Sequence, residues 1–370
     1  STLAYTLFPY TTLFRSVEYI MSEIENGSLK EGSRLPSEKE LCEMFSLSRQ
    51  TIRHATGELE KNRVITRVKG SGTYVGDPSR PRRKPRYRSV AVMLTYVNSY
   101  IFPPVLQGIS NTLNNKGYSV SVSFTNNDIE REKRTLEQIL SSDKVDALIA
   151  EPSKSALPNP NMNYYRMLEK RGIPVLFINS SYPKLDMPCI RLDDEGIGYE
   201  AVKYLISQGH RDIAAVFHCE DLQGIRRYAG FDRALRENGI VLDPEKVIWL
   251  DTAGVSDLNP LMDYITKRIS TATAVFAYND EVACQLIRGF NRKGIRVPDD
   301  ISVIGVDDAE AARTAEPPLT TFPHPKAELG IMAAQKIIEQ IENPLMKRDH
   351  LFLPEIIVRD SVKNLNKEEK

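Results

Sequence analysis

LPSEKELCEMFSLSRQTIRHATGELEKNRVITRVKGSGT, residues 35–73, is the stretch on which the reading of this chain turns. Pro36 and Ser37 open a helix, and Ser37 with Glu40 has the spacing of a capping box, in which a hydroxyl and a carboxylate each take a free amide at the helix start. Leu41, Met44 and Phe45 fall on one face at helical spacing. Ser46, Leu47 and Ser48 make a turn, with Ser48 as the N-cap of a second helix. That helix starts with Arg49, Gln50, Thr51, Ile52 and Arg53. Its polar members are of the kinds that bind phosphates and base edges, while Ile52, Ala55 and Leu59 hold its other side on a core. A third helix is expected next. Residues 65–75 then read as strand, glycine turn and strand, a hairpin with a basic tip. Taken singly, each arginine here is an ordinary solvated surface residue. A cap, a short turn, an Arg/Thr-rich helix start and a glycine hairpin in fixed order are what a DNA-reading helix-turn-helix with a wing requires.

The segments 35–41, 48–53 and 70–75 resemble the winged headpiece of the GntR family of bacterial regulators, over about residues 17–76. The resemblance implies DNA contacts at Lys39, Arg49, Gln50, Thr51 and Arg53, with Lys69 and Gly70 in the wing. The physics of the positions agrees: Lys39 sits on the backbone-crossing helix, and Gly70 lets main chain approach a phosphate.

At 370 residues the chain exceeds one ordinary domain. Its formal net charge is zero, yet residues 17–88 hold 15 Lys/Arg against 10 Asp/Glu. A basic module on a near-neutral body fits that asymmetry. Residues 77–88 carry three prolines, six basic residues and one acid, and read as an extended linker. Residues 17–26 form an amphipathic helix with Ile20, Met21 and Ile24 on one side. Residues 1–16 fit neither the headpiece pattern nor a signal peptide and are expected to be a non-native leader. Residues 363–370 read as a charged tail. Cys42, Cys189, Cys219 and Cys284 are scattered, with no metal-ligand or redox spacing. Reduced thiols and a cytoplasmic, nucleoid-associated protein are the simplest expectation. No apolar run approaches membrane-helix length, so no membrane partner is expected.

From residue 89 short apolar strands alternate with helices. Strands are expected at 90–94, 119–124, 147–150, 175–178, 213–217, 247–250, 274–277 and 301–306. Helices are expected at about 103–116, 129–141, 160–171, 194–208, 223–238, 256–268, 280–293 and 325–342, the last with Leu329, Met332, Ala333, Ile337 and Ile341 on its core face. Such alternation means parallel sheets covered on both faces, in two α/β lobes spanning 89–362. Ligands of open α/β sheets bind beyond the carboxyl ends of the strands. That rule selects Tyr100-Ile101-Phe102, Asn126-Asn127, Glu151, Lys154, Arg226-Arg227, Tyr278-Asn279-Asp280 and Asp307-Asp308. Carboxylates, amides, a guanidinium and aromatic rings suit a polyhydroxylated ligand. Each has a plainer reading as well: Asn279 and Asp307 as helix caps, Phe102 as core.

Residues 207–213, 227–231, 277–280, 297–308 and 319–321 resemble the effector domain of the LacI/GalR regulators, built like a periplasmic sugar-binding protein. The resemblance spans about 89–362. It implies ligand contacts at Phe102, Arg227, Asn279, Asp307 and His324, to which the strand-end rule adds Asn126, Glu151 and Lys154. A GntR headpiece on a LacI-type body, with residues 100–103, 151–157, 192–194 and 221–224, resembles the L-arabinose repressor family. That implies L-arabinose as effector, where the residues themselves support a small polar ligand. The expected fold is therefore α/β, a winged helix-turn-helix followed by a two-lobed periplasmic-binding-protein-like body. The expected function is a homodimeric repressor of sugar-utilisation genes, released from operator DNA by sugar. The alternative is the same architecture answering another pentose, a hexose or a nucleoside. No P-loop, GxSxG or HExxH occurs, so neither an enzyme nor a cofactor is expected.

Overall fold

A computed structural model describes all residues except 1–18, 21, 25–27, 31, 62–63, 69, 77–85, 97–99, 143, 344–348 and 368–370. The leader, Met21, Lys69, most of the linker and the end of the tail therefore lie outside the described residues. The chain divides into two units, Ser1–Pro85 with Glu339–Lys347, and Arg86–Ile338 with Arg348–Lys370.

In the first unit, the helix Glu38–Phe45 opens on a complete capping box. Ser37 Oγ accepts from the Glu40 amide at 3.3 Å, and Glu40 Oε2 accepts from the Ser37 amide at 2.6 Å. Ser46, at φ 53°, ends this helix in the left-handed region. The next helix, Arg49–Lys61, runs unbroken for 13 residues. The expected third helix is thus the second half of this one. Ile52, Ala55 and Leu59 are all buried on a single continuous face, so nothing forces a break at Gly57. Strands β1 (Ile65–Val68) and β2 (Gly72–Val75) pair antiparallel as the wing. Gly70 at its tip has φ 79°, a backbone state that side chains resist. Ile20, Leu35, Leu41, Ile52, Val64 and Val75 form the core. Met44 is not part of it: at 51% exposure it departs from the face expected of it.

In the second unit, β3 (Ser89–Leu94), β4 (Ser119–Phe124), β5 (Ala147–Ala150), β6 (Val175–Ile178) and β7 (Cys189–Leu192) build the first lobe. The second lobe holds β8 (Ile213–His218), β9 (Val247–Leu250), β10 (Ala274–Ala277) and β11 (Ser302–Ile304). A short β12 (His350–Phe352) returns to the first sheet, giving the orders β12-β7-β6-β5-β3-β4 and β11-β10-β8-β9, all parallel. The chain crosses between lobes after β7, between β11 and the helix Lys326–Glu342, and after β12. Three departures from expectation are local. The strands CIRL and HLF are too short, and too interrupted by Arg191 and His350, to show a strand pattern. The helix expected at 256–268 begins only at Met262, after the 3-10 turn Asn259–Leu261 whose Pro260 lacks an N–H to extend the ladder backward, and a separate short helix, Thr252–Ser256, precedes it. The strand expected at 301–306 is confined to Ser302–Ile304.

The topology fixes where a ligand site must fall. The sheet order reverses around β3, which lies between β4 and β5, and around β8, which lies between β9 and β10. The loops beyond these strands face one another across the lobes, as expected at switch points.

Candidate functional site

The headpiece presents its polar residues to solvent. Arg49, Gln50 and Arg53 are exposed, and Thr51 is half-buried, its amide donating to Ser48 Oγ at 3.2 Å. Lys39 is exposed and 3.9 Å from Glu43. Arg53 Nε donates to Glu38 Oε2 at 3.0 Å. Glu38 also faces Arg67 of the wing at 3.6 Å. Ion pairs this exposed are worth about 1 kcal/mol or less, so a phosphate can displace them. Gly70 is exposed at the wing tip, and Lys69 lies outside the described residues.

The second unit encloses a cavity of ≈ 300 Å³ between its lobes, at the small end of the roughly 300–1,000 Å³ range of ligand pockets. Thr95, Tyr96, Tyr100, Phe102, Asn126 and Glu151 line it from the first lobe. His218, Asp221, Arg227, Tyr278, Asn279 and Asp307 line it from the second. Of the eight expected ligand residues, six therefore stand on one wall or the other. Lys154 and His324 do not. Lys154 is turned to Glu220, Nζ to Oε1 at 2.7 Å. His324 is buried behind the wall, and Nε2 lies 3.0 Å from Asn179 Oδ1. Asn179 Nδ2 in turn donates to Glu151 Oε1 at 2.7 Å, so the His324 ring is linked to the cavity wall through Asn179 and Glu151, while its backbone amide donates to the Asp307 carbonyl at 3.2 Å.

Close helix packing places the arginine. A Cβ on Gly198 would stand 2.0 Å from the Arg227 carbonyl oxygen, and one on Gly230 would stand 1.9 Å from that of Glu195. Only glycine lets the helices Asp194–Ser207 and Leu222–Glu237 approach this far. Their contact sets Arg227 against Asp194, with Nε and Nη2 both within 3.0 Å of Oδ1. Nη1 donates to the Tyr278 carbonyl, and the guanidinium lies 5.1 Å from the Tyr278 ring centroid. Burial works against the Arg227 charge, but Asp194, Asp307 and Tyr278 outweigh it and raise its pKa. Asp307 sits at φ 113°, strained backbone for a side chain, and accepts from the Tyr100 hydroxyl. Burial lifts the Asp307 carboxyl to about 6 even though Arg227 and Tyr100 favour its charge. Burial likewise raises Glu151, against hydrogen bonds from Thr95 and Asn179. It pushes Tyr96 up to about 12, helped by Asp221 and Glu151. His324 is driven down to about 3 by burial, Lys326 and Arg227, and is neutral at physiological pH. Asn279 combines its two readings. Its Oδ1 caps the helix Asp280–Arg292 by accepting from the Val282 amide at 2.9 Å, while the residue lines the cavity.

Such a wall of acids, amides, one guanidinium and aromatic rings can fork across adjacent hydroxyls and cover the apolar face of a ring. The strand-end reading omits Thr95, Tyr96 and His218, although Thr95 and Tyr96 directly follow β3 and His218 ends β8, so taking the residues at and just past each strand end would have found them. Among the described residues no cluster of side chains could hold a metal ion, and no helix is long and apolar enough to cross a membrane.

Comparison with known proteins matches residues 15–75 to the bacterial regulatory proteins of the gntR family, and residues 202–362 to the periplasmic binding protein-like domain. An arabinose metabolism transcriptional repressor of Geobacillus stearothermophilus is 38% identical over 94% of this chain and 96% of its own. Its counterpart from Halalkalibacterium halodurans is 38% identical over 93% and 94%. A solved transcriptional regulator, CelR in complex with cellobiose, superposes with a TM-score of 0.66 at 24% identity, over 85% of this chain and 90% of that one, a likeness of fold alone. With a gntR headpiece, a two-lobed binding-protein body and 38% identity along nearly its whole length, the chain belongs to the family of arabinose metabolism transcriptional repressors.

Proposed function

We propose that this protein represses sugar-utilisation genes by holding operator DNA through residues 17–76, and that L-arabinose bound between the lobes of residues 89–362 releases it. The observation that carries this reading is the ≈ 300 Å³ cavity, sized for a small sugar and walled from both lobes by hydrogen-bonding groups. A ligand touching Glu151 and Asn126 on one side and Arg227, Asn279 and Asp307 on the other stabilises the closed body over the open one. It shifts the population by its differential affinity for the two. Linkage then requires operator DNA to weaken sugar binding by the factor through which sugar weakens operator binding. A homodimer joined through the body would set two headpieces on a two-fold symmetric operator in the cytoplasm. Lys39, Arg49, Gln50, Thr51, Arg53, Lys69 and Gly70 would meet the DNA.

Operator binding titrated with and without L-arabinose tests the reading. Release by arabinose, with a matching fall in arabinose affinity when operator is present, is the expected result. Unchanged operator affinity at saturating arabinose would overturn it. Release by a different pentose, a hexose or a nucleoside from the same panel would reassign the effector while keeping the mechanism.

A further inference from the structure

Lys154 faces away from the cavity, and what it faces is the other lobe. Its Nζ meets Glu220 Oε1 at 2.7 Å, with side chains only 29% and 13% exposed. Around this pair the lobes are stitched at main chain as well. The Ala156 amide donates to the Glu220 carbonyl at 3.0 Å, and the Leu222 amide to Ser155 Oγ at 2.9 Å. Asn127 ties both halves together. Its Oδ1 accepts from the Lys154 amide at 2.7 Å, and its Nδ2 reaches across to Thr252 Oγ1 at 3.0 Å. Glu220 Oε2 accepts from the Thr252 amide at 3.0 Å, so one carboxylate serves Lys154 with one oxygen and Thr252 with the other.

The first-lobe half of this contact is held rigidly. Glu132 is wholly buried beneath the loop after β5. It accepts from Ser153 N at 3.2 Å, Asn159 Nδ2 at 2.7 Å, Asn161 Nδ2 at 2.9 Å, Tyr165 OH at 2.7 Å and Tyr182 OH at 2.6 Å. Five donors on one buried carboxylate leave the loop carrying Lys154 and Ser155 little freedom. Lys154 (φ 44°) sits in the left-handed region, which a lysine keeps only where surrounding contacts impose it; Asn127 (φ 54°) also sits there, a state asparagine adopts readily. The latch also adjoins the cavity, since Thr252 and Asp221 line it.

We infer that Lys154, Glu220 and Asn127 are positioning residues that latch the two lobes shut and set sugar affinity without touching the sugar. The inference rests on the proposed function for the identity of the ligand, but not for the existence of the latch. Weakening the latch lowers the fraction of closed body, and apparent sugar affinity falls by that fraction. The arabinose concentration that releases operator rises by the same factor.

The test is a double-mutant cycle on the full chain with Lys154→Met and Glu220→Gln, the glutamine keeping an oxygen for Thr252. Calorimetric L-arabinose binding should weaken about three- to tenfold in each single variant, and the double should be no worse than the weaker single, because one interaction is lost either way. Lys203→Met, which removes an exposed pair with Glu200, should leave affinity unchanged. Additive losses would show that the lysine and the glutamate act separately and would overturn the latch, as would unchanged affinity in both singles. Hydrogen exchange without any sugar separates this from failure of the ligand assignment. The Ala156 and Leu222 amides should be protected in the unmodified chain and exchange faster in Lys154→Met. Equal protection in both proteins would overturn the latch whatever the effector is.

Discussion

The headpiece and the cleft use the same residue types in opposite ways. Arg49 and Arg53 are exposed and close in sequence, and Arg53 is held by one exposed pair with Glu38 that a phosphate can displace. Around Arg227 the charge is buried and doubly paired, and its neighbours come from segments up to about two hundred residues apart, as the Tyr100–Asp307 hydrogen bond shows. A surface that reads a polyanion needs available charge. A cavity that reads a small polyol needs charge whose cost is already met by the fold. Single substitutions should therefore separate function from stability in the headpiece and join them in the cleft.

The largest effect should come from Arg227→Ala. It leaves Asp194 buried without its partner and the Tyr278 carbonyl without its donor. Breaking a buried ion pair in this way costs about 3–5 kcal/mol. Trp249, the chain's one tryptophan, lies on β9 and reports unfolding of the body by fluorescence. Arg227→Ala should lower that transition strongly and abolish sugar binding together. Loss of sugar binding with an unshifted transition would show the pair to be functional only, and the contrast would fail.

Titration should separate the regions by sign. Asp307 has its folded pKa raised to about 6 from 3.8, so the folded body binds the extra proton between those values. Its contribution to stability is present in acid and is lost as pH rises from about 4 to about 6, by up to about 3 kcal/mol. Asp280, raised to about 8 by burial and by Asp307, extends the same trend upward. Glu40 runs the other way. Hydrogen bonds from the Ser37 amide and hydroxyl lower its pKa, so its contribution is present above 4.5 and is lost as pH falls. Asp307→Asn should remove the part of the decline between pH 4 and 6 seen by Trp249 fluorescence. A pH profile identical to the parent's would refute the assignment.

Arg49→Ala should weaken operator binding by about 1–3 kcal/mol, roughly five- to 150-fold, through one lost base or phosphate contact. Arabinose affinity and the Trp249 transition should stay as they were. A shifted transition would mean that Arg49 is structural after all.

The same contrast explains what could be read without the fold. The headpiece was legible because its determinants are local: a cap three residues from its partner, a serine before an Arg/Thr run, a glycine at the wing tip. Even so, Met44 kept its helical spacing and still faced solvent, because the small core fills with Ile20, Leu41 and Ile52 first. In the body, strand ends located Phe102, Asn126, Glu151, Arg227, Asn279 and Asp307 on the cavity wall. Lys154, chosen by the same rule, and His324, implied by the family resemblance alone, turned elsewhere. Their partners, Glu220 and Asn179, are 66 and 145 residues away, and no local pattern carries that information. The strands Cys189–Leu192 and His350–Phe352 were hidden for a related reason, being defined by pairing with each other rather than by their own composition.

The smallest effect sharpens the comparison most, because it is confined to one region by construction of the fold. Ser37→Ala removes the hydroxyl that takes the Glu40 amide and leaves the helix Glu38–Phe45 with an uncapped start. Loss of such a cap costs about 1 kcal/mol. That helix positions Lys39 and holds Glu38 against Arg53, so operator affinity should fall only a few-fold, and only at temperatures where the headpiece begins to open. The expected signature is an earlier headpiece transition by circular dichroism beside an unmoved Trp249 transition. If the Trp249 transition moved with it, the two units would unfold as one, and a headpiece free to lose function without costing the body stability would have to be abandoned.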